Sequence, residues 1–272
     1  MMGTHANDAR FAGSIPELYE RLLVPMLFEP YAADLADRVA AHSPRRVLEL
    51  AAGTGVVTRA LAERLPADAS IVATDLNPPM LDMAAARGTA RPVEWRQADA
   101  LQLPFDDGAF DLVACQFGVM FFPDKARAFS EARRVLAPGG RLLFNVWDRI
   151  EENDFPQVVT QALETLFPDD PPRFMVRVPH GYHDKTRILQ DLAAGGFAKP
   201  PEIITIQATS RAAFAQDVAD AFCQGTPLSG EIEARGSTLQ QATGIATSAL
   251  IERFGAGPLE GRIQAHIVIV ER

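Results

Sequence analysis

Cysteine is nearly absent: Cys115 and Cys223 are the two in 272 residues. With no CxxC and no Pro-Cys pair, a disulfide framework and a zinc cluster are excluded, and two buried, reduced thiols are expected. Long apolar runs are missing too. The greasiest stretch, 22–28, is broken by Pro25, and the opening MMGTHANDARFAG holds no signal-peptide core, so a cytoplasmic protein with no membrane partner is expected. Basic charge is scarce, with 26 Lys+Arg against 35 Asp+Glu and a net charge of -9. Such a field repels phosphate backbones, which argues against nucleic acid as a partner. Neither a repeat nor a Gly/Ser linker divides the chain, so one domain spanning 1–272 is expected.

What is present is the balance of a stably folded chain, 47% hydrophobic and 22% charged. Short apolar runs at Val47–Leu50, Ile71–Thr74, Val93–Arg96, Asp111–Gln116 and Arg141–Trp147 read as strands. Between them, helical spacing marks Val56–Leu65, Met80–Arg87 and Asp124–Ala137, for example at Val57, Ala60, Leu61 and Leu65. Strands alternating with helices imply right-handed crossovers and a parallel sheet covered on both faces. The fold class is therefore α/β, a Rossmann-like doubly wound sheet. After Trp147 the prolines at 168, 171 and 172 lead to a helix near Ile188–Ala194. A strand at Ile203–Ala208, two more helices and a last strand at Ile263–Val270 follow. The final two strands read as an antiparallel pair that brings a mostly parallel sheet to seven strands. Ahead of the sheet, one greasy helical stripe runs from Ile15 to Phe28.

The chemistry concentrates where strand one runs through Glu49-Leu50-Ala51-Ala52-Gly53-Thr54-Gly55 directly into a helix. Ligands of open α/β sheets bind at that edge. Small residues let a ligand approach the backbone, and the helix start presents unpaired N–H groups. A dinucleotide loop would read G-x-G-x-x-G, but Thr58 stands at the third glycine position and Glu49 precedes the first.

This stretch resembles motif I of the class I S-adenosylmethionine-dependent methyltransferases, with Ala51 in place of the first motif glycine. The resemblance is to their small-molecule, UbiE-like type. It continues in order through Ile71-Val72-Ala73-Thr74-Asp75-Leu76-Asn77, Gln97-Ala98-Asp99-Ala100-Leu101, Phe110 to Phe117, and Leu136-Ala137-Pro138-Gly139-Gly140, where Pro-Gly-Gly is the turn feeding strand five. It covers about 46–147. The resemblance implies S-adenosylmethionine as cofactor, its ribose hydroxyls on Asp75, and its adenine on the Asp99 carboxylate and the Ala100 N–H. It further implies cofactor contacts from Glu49, Ala51, Gly53, Thr54, Gly55, Leu76, Met80, Leu101, Gln116, Phe117 and Phe121, and from Tyr19 at the methionine end. Within the single domain, 1–42 would be a helical lid, 43–150 the cofactor-binding core, and 151–272 a C-terminal half with a helical insertion at about 210–258.

Asn77-Pro78-Pro79-Met80 imitates the Asn-Pro-Pro-aromatic box of DNA amino-methyltransferases, but that box follows strand four, where Cys115-Gln116-Phe117-Gly118 stands here. The acceptor is expected to be a small apolar or aromatic metabolite, methylated by in-line displacement. Pocket walls are expected from Ile15 to Tyr31, from Phe117, Met120, Phe121 and Phe122, and from the insertion 210–258. His183 in Pro179-His180-Gly181-Tyr182-His183-Asp184 is the candidate general base. The alternative is that His183 and Asp184 cap the helix starting near Lys185. His5, His42 and His266 read as structural or solvated, and no metal site is expected. An NAD(P)-dependent oxidoreductase and a non-catalytic S-adenosylmethionine-binding module are the competing functions, and a homodimer is left open.

Overall fold

The computed structural model describes residues 8–272; His5 lies outside the described residues. The chain opens with α1 (Ile15–Leu18), passes into a π-helix (Tyr19–Phe28) and then α2 (Glu29–Ala41). The alternating core follows: β1 (Arg46–Glu49), α3 (Val56–Arg64), β2 (Ser70–Asp75), α4 (Pro78–Arg87), β3 (Glu94–Gln97), β4 (Phe110–Gln116), α5 (Lys125–Val135) and β5 (Leu136–Trp147). Then come α6 (Asp154–Leu166), α7 (Phe174–Arg177), α8 (Lys185–Ala194), β6 (Glu202–Ala212), α9 (Ala215–Cys223), α10 (Leu228–Ala234), α11 (Leu239–Phe254) and β7 (Leu259–Glu271).

The strands form one seven-stranded sheet in the order β3-β2-β1-β4-β5-β7-β6. β1 to β5 are parallel, while β7 runs antiparallel to both β5 and β6. Central strands are buried on both faces. Val47, Leu112, Ala114 and Leu143 pack with Leu35, Val39, Val57 and Leu61 of α2 and α3. Their neighbours Leu48, Val113, Cys115 and Phe144 face the larger core that contains Phe129, Val135 and Phe155. Both cysteines are free and buried. The direction of winding reverses between β1 and β4, so the crevice above their carboxyl ends is where a ligand belongs. Among the described residues no helix is long and apolar enough to cross a membrane.

Several elements depart from the sequence expectation. The single helix expected over Ile15–Phe28 is mostly π-helical. Pro25 cannot donate within it, and Glu20, Val24 and Phe28, all off the expected stripe, are buried. The wider turn has a consequence for Tyr19 and Phe28. Nine residues make about two and a half α-turns, which would set them on opposite faces; here their rings stack with centroids 5.0 Å apart. The helix α6 was not among the expected elements; its Pro156 sits in the first turn, where a missing N–H costs nothing. Three helices, not two, separate β6 from β7. Pro138-Gly139-Gly140 lies within β5, in the excursion between Leu136, paired with Phe110, and Arg141, paired with Leu112.

Both strands that flank the crevice end in left-handed backbone at a non-glycine residue, Ala51 at φ 52 and Phe117 at φ 51. Between them Gly118 packs tightly. A Cβ added there would lie 2.5 Å from the Ala51 Cβ and 2.7 Å from the Cys115 Sγ. Gly118→Ala should therefore lower stability by about 1–3 kcal/mol through overpacking. Ala51→Gly removes the opposing methyl and relieves the left-handed strain, so it should recover part of that loss in the double variant. Melting the four proteins checks the contact, and strictly additive effects would refute it.

Candidate active site

The crevice lies above the carboxyl ends of β1 and β4 and has a cavity volume of about 120 Å³. Its floor is the turn after β1. Ala52 N donates to Thr74 O at 2.8 Å, Gly53 N to the Asp75 Oδ2 at 2.9 Å, and Gly55 N to Ala52 O at 2.9 Å. Gly55, at φ 83, is the N-cap of α3. A Cβ on it would come within 2.9 Å of the Trp95 ring and 3.1 Å of Ala84, so close packing of α4 and β3 demands glycine there.

Asp75 ends β2 and is held from both sides. Its Oδ2 accepts from Gly53 N, and its Oδ1 accepts from Asn77 N at 2.8 Å. Burial raises its pKa, against the lowering effect of these hydrogen bonds. Glu49 lies beneath the turn, 1% exposed, and accepts from Thr58 Oγ1 at 2.6 Å. Thr58, the residue that spoils the dinucleotide fingerprint, thus holds the buried acid. Burial pushes the Glu49 carboxyl up to about 8.

Of the residues expected to bind cofactor, Tyr19, Ala51, Gly53, Asp75, Leu76, Met80, Asp99, Ala100, Leu101, Gln116, Phe117 and Phe121 line the crevice. Glu49, Thr54 and Gly55 do not; they shape it from below. The Thr54 Oγ1 is buried with no hydrogen-bond partner, as is the Oε2 of Glu20. Tyr19 is held phenolic, because burial, Asp75 and Glu20 all raise its pKa. Its hydroxyl stands over the glycine turn, 3.8 Å from where a Gly53 Cβ would be.

The inner wall is aromatic. Phe117 stacks on Trp147 with centroids 3.8 Å apart, and Tyr31 meets both rings edge-on. The strained Phe117 is locked by Asn145, whose Oδ1 accepts from Phe117 N at 2.9 Å. Tyr31 itself is buried behind this wall, donating to Ile206 O at 3.3 Å. Phe122 joins the lining, whereas Met120 is buried outside it.

Two features escaped sequence analysis. The segment at Ala9 and Phe11 roofs the crevice, and Asn77 pins it. The Asn77 side chain donates to Ala9 O at 3.1 Å and accepts from Phe11 N at 3.2 Å. Asp8 is ion-paired with Arg177, which also contacts Glu231 at 2.7 Å. An asparagine placed two residues after the strand-two acid was the available signal. No residue of the insertion 210–258 lines the crevice, contrary to expectation. Its α9 packs on the π-helix instead, burying Val218 and Phe222, so it supports the wall from behind.

His183 is not brought to the crevice either. Its Nδ1 lies 2.8 Å from His180 O, and Asp184 caps α8 by accepting from Thr186 N at 2.8 Å. His180 is buried, its pKa pushed down to about 4 by desolvation, and its Nδ1 lies 2.8 Å from Asp148 O. His266 is also buried, 3.4 Å from Asp148, while His42 contacts Arg141 at 3.3 Å. No group of three or more His, Cys, Asp or Glu side chains is placed to hold a metal among the described residues.

An adenosyl amino acid fits these residues. Asp75 retains acceptor capacity toward ribose hydroxyls, the small residues of the turn leave room for a methionine chain, and the unpartnered Thr54 hydroxyl lies in that turn. A pyrophosphate fits poorly, because Asp75 and Asp99 line the crevice and, among the described residues, no Lys or Arg does.

Residues 48–144 match the family described as a methyltransferase domain. A demethylmenaquinone methyltransferase of Thermus thermophilus is 50% identical over 114 residues, which is 41% of this chain and 50% of that protein. The chain spans about half the length of the curated relatives it matches. Among solved structures, a protein of Bacillus halodurans described as a methyltransferase superposes with a TM-score of 0.56 at 23% identity, covering 88% of this chain and 97% of that one. A phosphoethanolamine N-methyltransferase of Haemonchus contortus, solved with S-adenosylhomocysteine, gives 0.57 at 16% identity, covering 94% and 57%. These likenesses establish the fold.

The raised pKa of Glu49 has a testable sign. Its contribution to stability is complete below the unfolded value of 4.5 and is lost as the pH rises through about 8, because the unfolded chain releases this proton first. Urea melts between about pH 5 and about pH 9 should show wild-type stability falling by on the order of a few kcal/mol relative to Glu49→Gln. Parallel pH profiles for the two proteins would refute the burial effect.

Proposed function

We propose, from the S-adenosylmethionine-dependent methyltransferase domain formed by residues 48–144, that this chain methylates a small, uncharged, apolar or aromatic acceptor. The observation that carries the reading is the composition of one crevice. The rings of Phe11, Tyr19, Phe117, Phe121 and Phe122 stand beside Asp75 and Asp99, and among the described residues no Lys, Arg or His side chain contributes to the lining. An anionic acceptor would find no counter-charge there, whereas a flat apolar ring finds aromatic faces and edges to pack against. The demethylmenaquinone named for the Thermus relative has that chemistry.

When bound, the cofactor supplies an electrophilic methyl group on a sulfonium. The chain's part is to hold the acceptor in line with the bond that breaks. Positioning of this kind lowers a barrier by roughly 7–11 kcal/mol. Asp75 and Asp99 would fix the nucleoside, the glycine turn would carry the amino-acid end, and Phe117, braced by Trp147 and Asn145, would orient the acceptor ring. Phe11 and its tie to Asn77 would exclude water from the roof. His183 stands apart from the crevice, so no side-chain base is assigned. A base would add about 10²–10⁴-fold, which an acidic or already nucleophilic acceptor can forgo.

S-adenosylhomocysteine at about 100 times its dissociation constant should raise the melting temperature by about 5 °C or more. Asp75→Ala should abolish that shift, and NADH should produce none. A shift with NADH and none with S-adenosylhomocysteine would overturn the reading in favour of an oxidoreductase.

A further inference from the structure

The loop 99–107 after β3 carries three residues of the crevice lining, Asp99, Ala100 and Leu101, on backbone with little structure of its own. Its internal order is a single turn: Leu101 N donates to Asp99 Oδ1 and Gln102 N to Asp99 O, both at 2.9 Å. The rest of its anchoring comes from one face of α5. Arg127 Nε donates to Leu101 O at 3.0 Å, and Leu103 N donates to the Glu131 Oε2 at 2.9 Å. Arg134 then spans the remainder, its Nη2 donating to Leu103 O at 2.9 Å and its Nη1 to Phe105 O at 2.7 Å and to Asp107 Oδ1 at 2.9 Å. Glu131 and Arg134 are themselves paired through two bonds, at 2.9 and 2.8 Å.

Residues 127, 131 and 134 are spaced four and three apart, so a single helix face presents all three. Glu131 is buried, and the carbonyls of Leu101, Leu103 and Phe105 all receive charged donors, the stronger kind of hydrogen bond. A loop that reads the edge of a base must hold its groups within about 0.5 Å. Nothing else described ties this loop so closely.

We infer that Arg127, Glu131 and Arg134 are positioning residues that hold Asp99 and the Ala100 N–H against the adenine edge, and that they thereby set the base specificity of the site. The inference rests on the adenosyl reading proposed above. Asp99 accepts from the exocyclic amino group; through Leu101 its carboxylate is oriented by Arg127, and through Leu103 by the Glu131–Arg134 pair.

The test compares binding of S-adenosylhomocysteine with S-inosylhomocysteine, which replaces the exocyclic amino group by an oxygen. Wild type should prefer the adenosyl ligand by about 100-fold or more, because a site built to bond a group rejects the analogue lacking it. Glu131→Gln keeps an acceptor for Leu103 N but breaks the charged pairing, and should cut the preference to about tenfold or less. Arg127→Met, at the exposed end of the face, removes the tether on Leu101 and the 3.6 Å pairing of Arg127 with Glu131 but leaves the Glu131–Arg134 bonds in place, and it carries the test if Glu131→Gln does not fold. General loosening would weaken both ligands in proportion and leave their ratio intact. A preference unchanged in the folded variants overturns the inference. A wild type that binds neither ligand, or both equally, overturns instead the adenosyl reading beneath it.

Discussion

The Asp75 carboxylate is the constraint from which the site follows. One oxygen takes the N–H of Gly53 and the other that of Asn77, so a single side chain fastens the glycine turn of β1 to the end of β2. Asn77 in turn pins the roof at Ala9 and Phe11. Floor, edge and roof of the crevice therefore share one buried acid. Its burial carries an electrostatic cost that the two backbone donors offset only in part.

The parallel half of the fold was legible because its signals are local and mutually consistent. Continuous apolar strands such as Leu112-Val113-Ala114 can satisfy only a sheet covered twice, and the acids Asp75 and Asp99 stand where strands end at the ligand edge. The crevice lining was read largely from this span. The parts that went unread depend on partners remote in sequence. Phe11 joins the site through Asn77, 66 residues away, and no local periodicity reports that bond. Likewise, nothing in Pro179-His180-Gly181-Tyr182-His183 reveals that His183 turns toward His180 O and away from the crevice.

The aromatic wall shows how strain and packing are distributed. Phe117 adopts left-handed backbone that a phenylalanine rarely takes, and it persists because Asn145 bonds its N–H while Trp147 and Tyr31 enclose its ring. On β1 the same conformation falls on Ala51, where the resembled family has glycine, and its methyl packs against Gly118. Steric demand has been moved from one strand end to its neighbour.

The π-helix gives the inner pocket an unusual sensitivity to chain length. Its i to i+5 bonds accommodate one residue more than the α form would over a comparable turn. Deleting one position between Tyr19 and Phe28 and reverting to α geometry would swing the tyrosine by about 80° relative to its stacking partner. The contour of this wall is thus governed by an indel as much as by side-chain identity, and a related chain one residue shorter would present a differently shaped chamber from nearly the same amino acids.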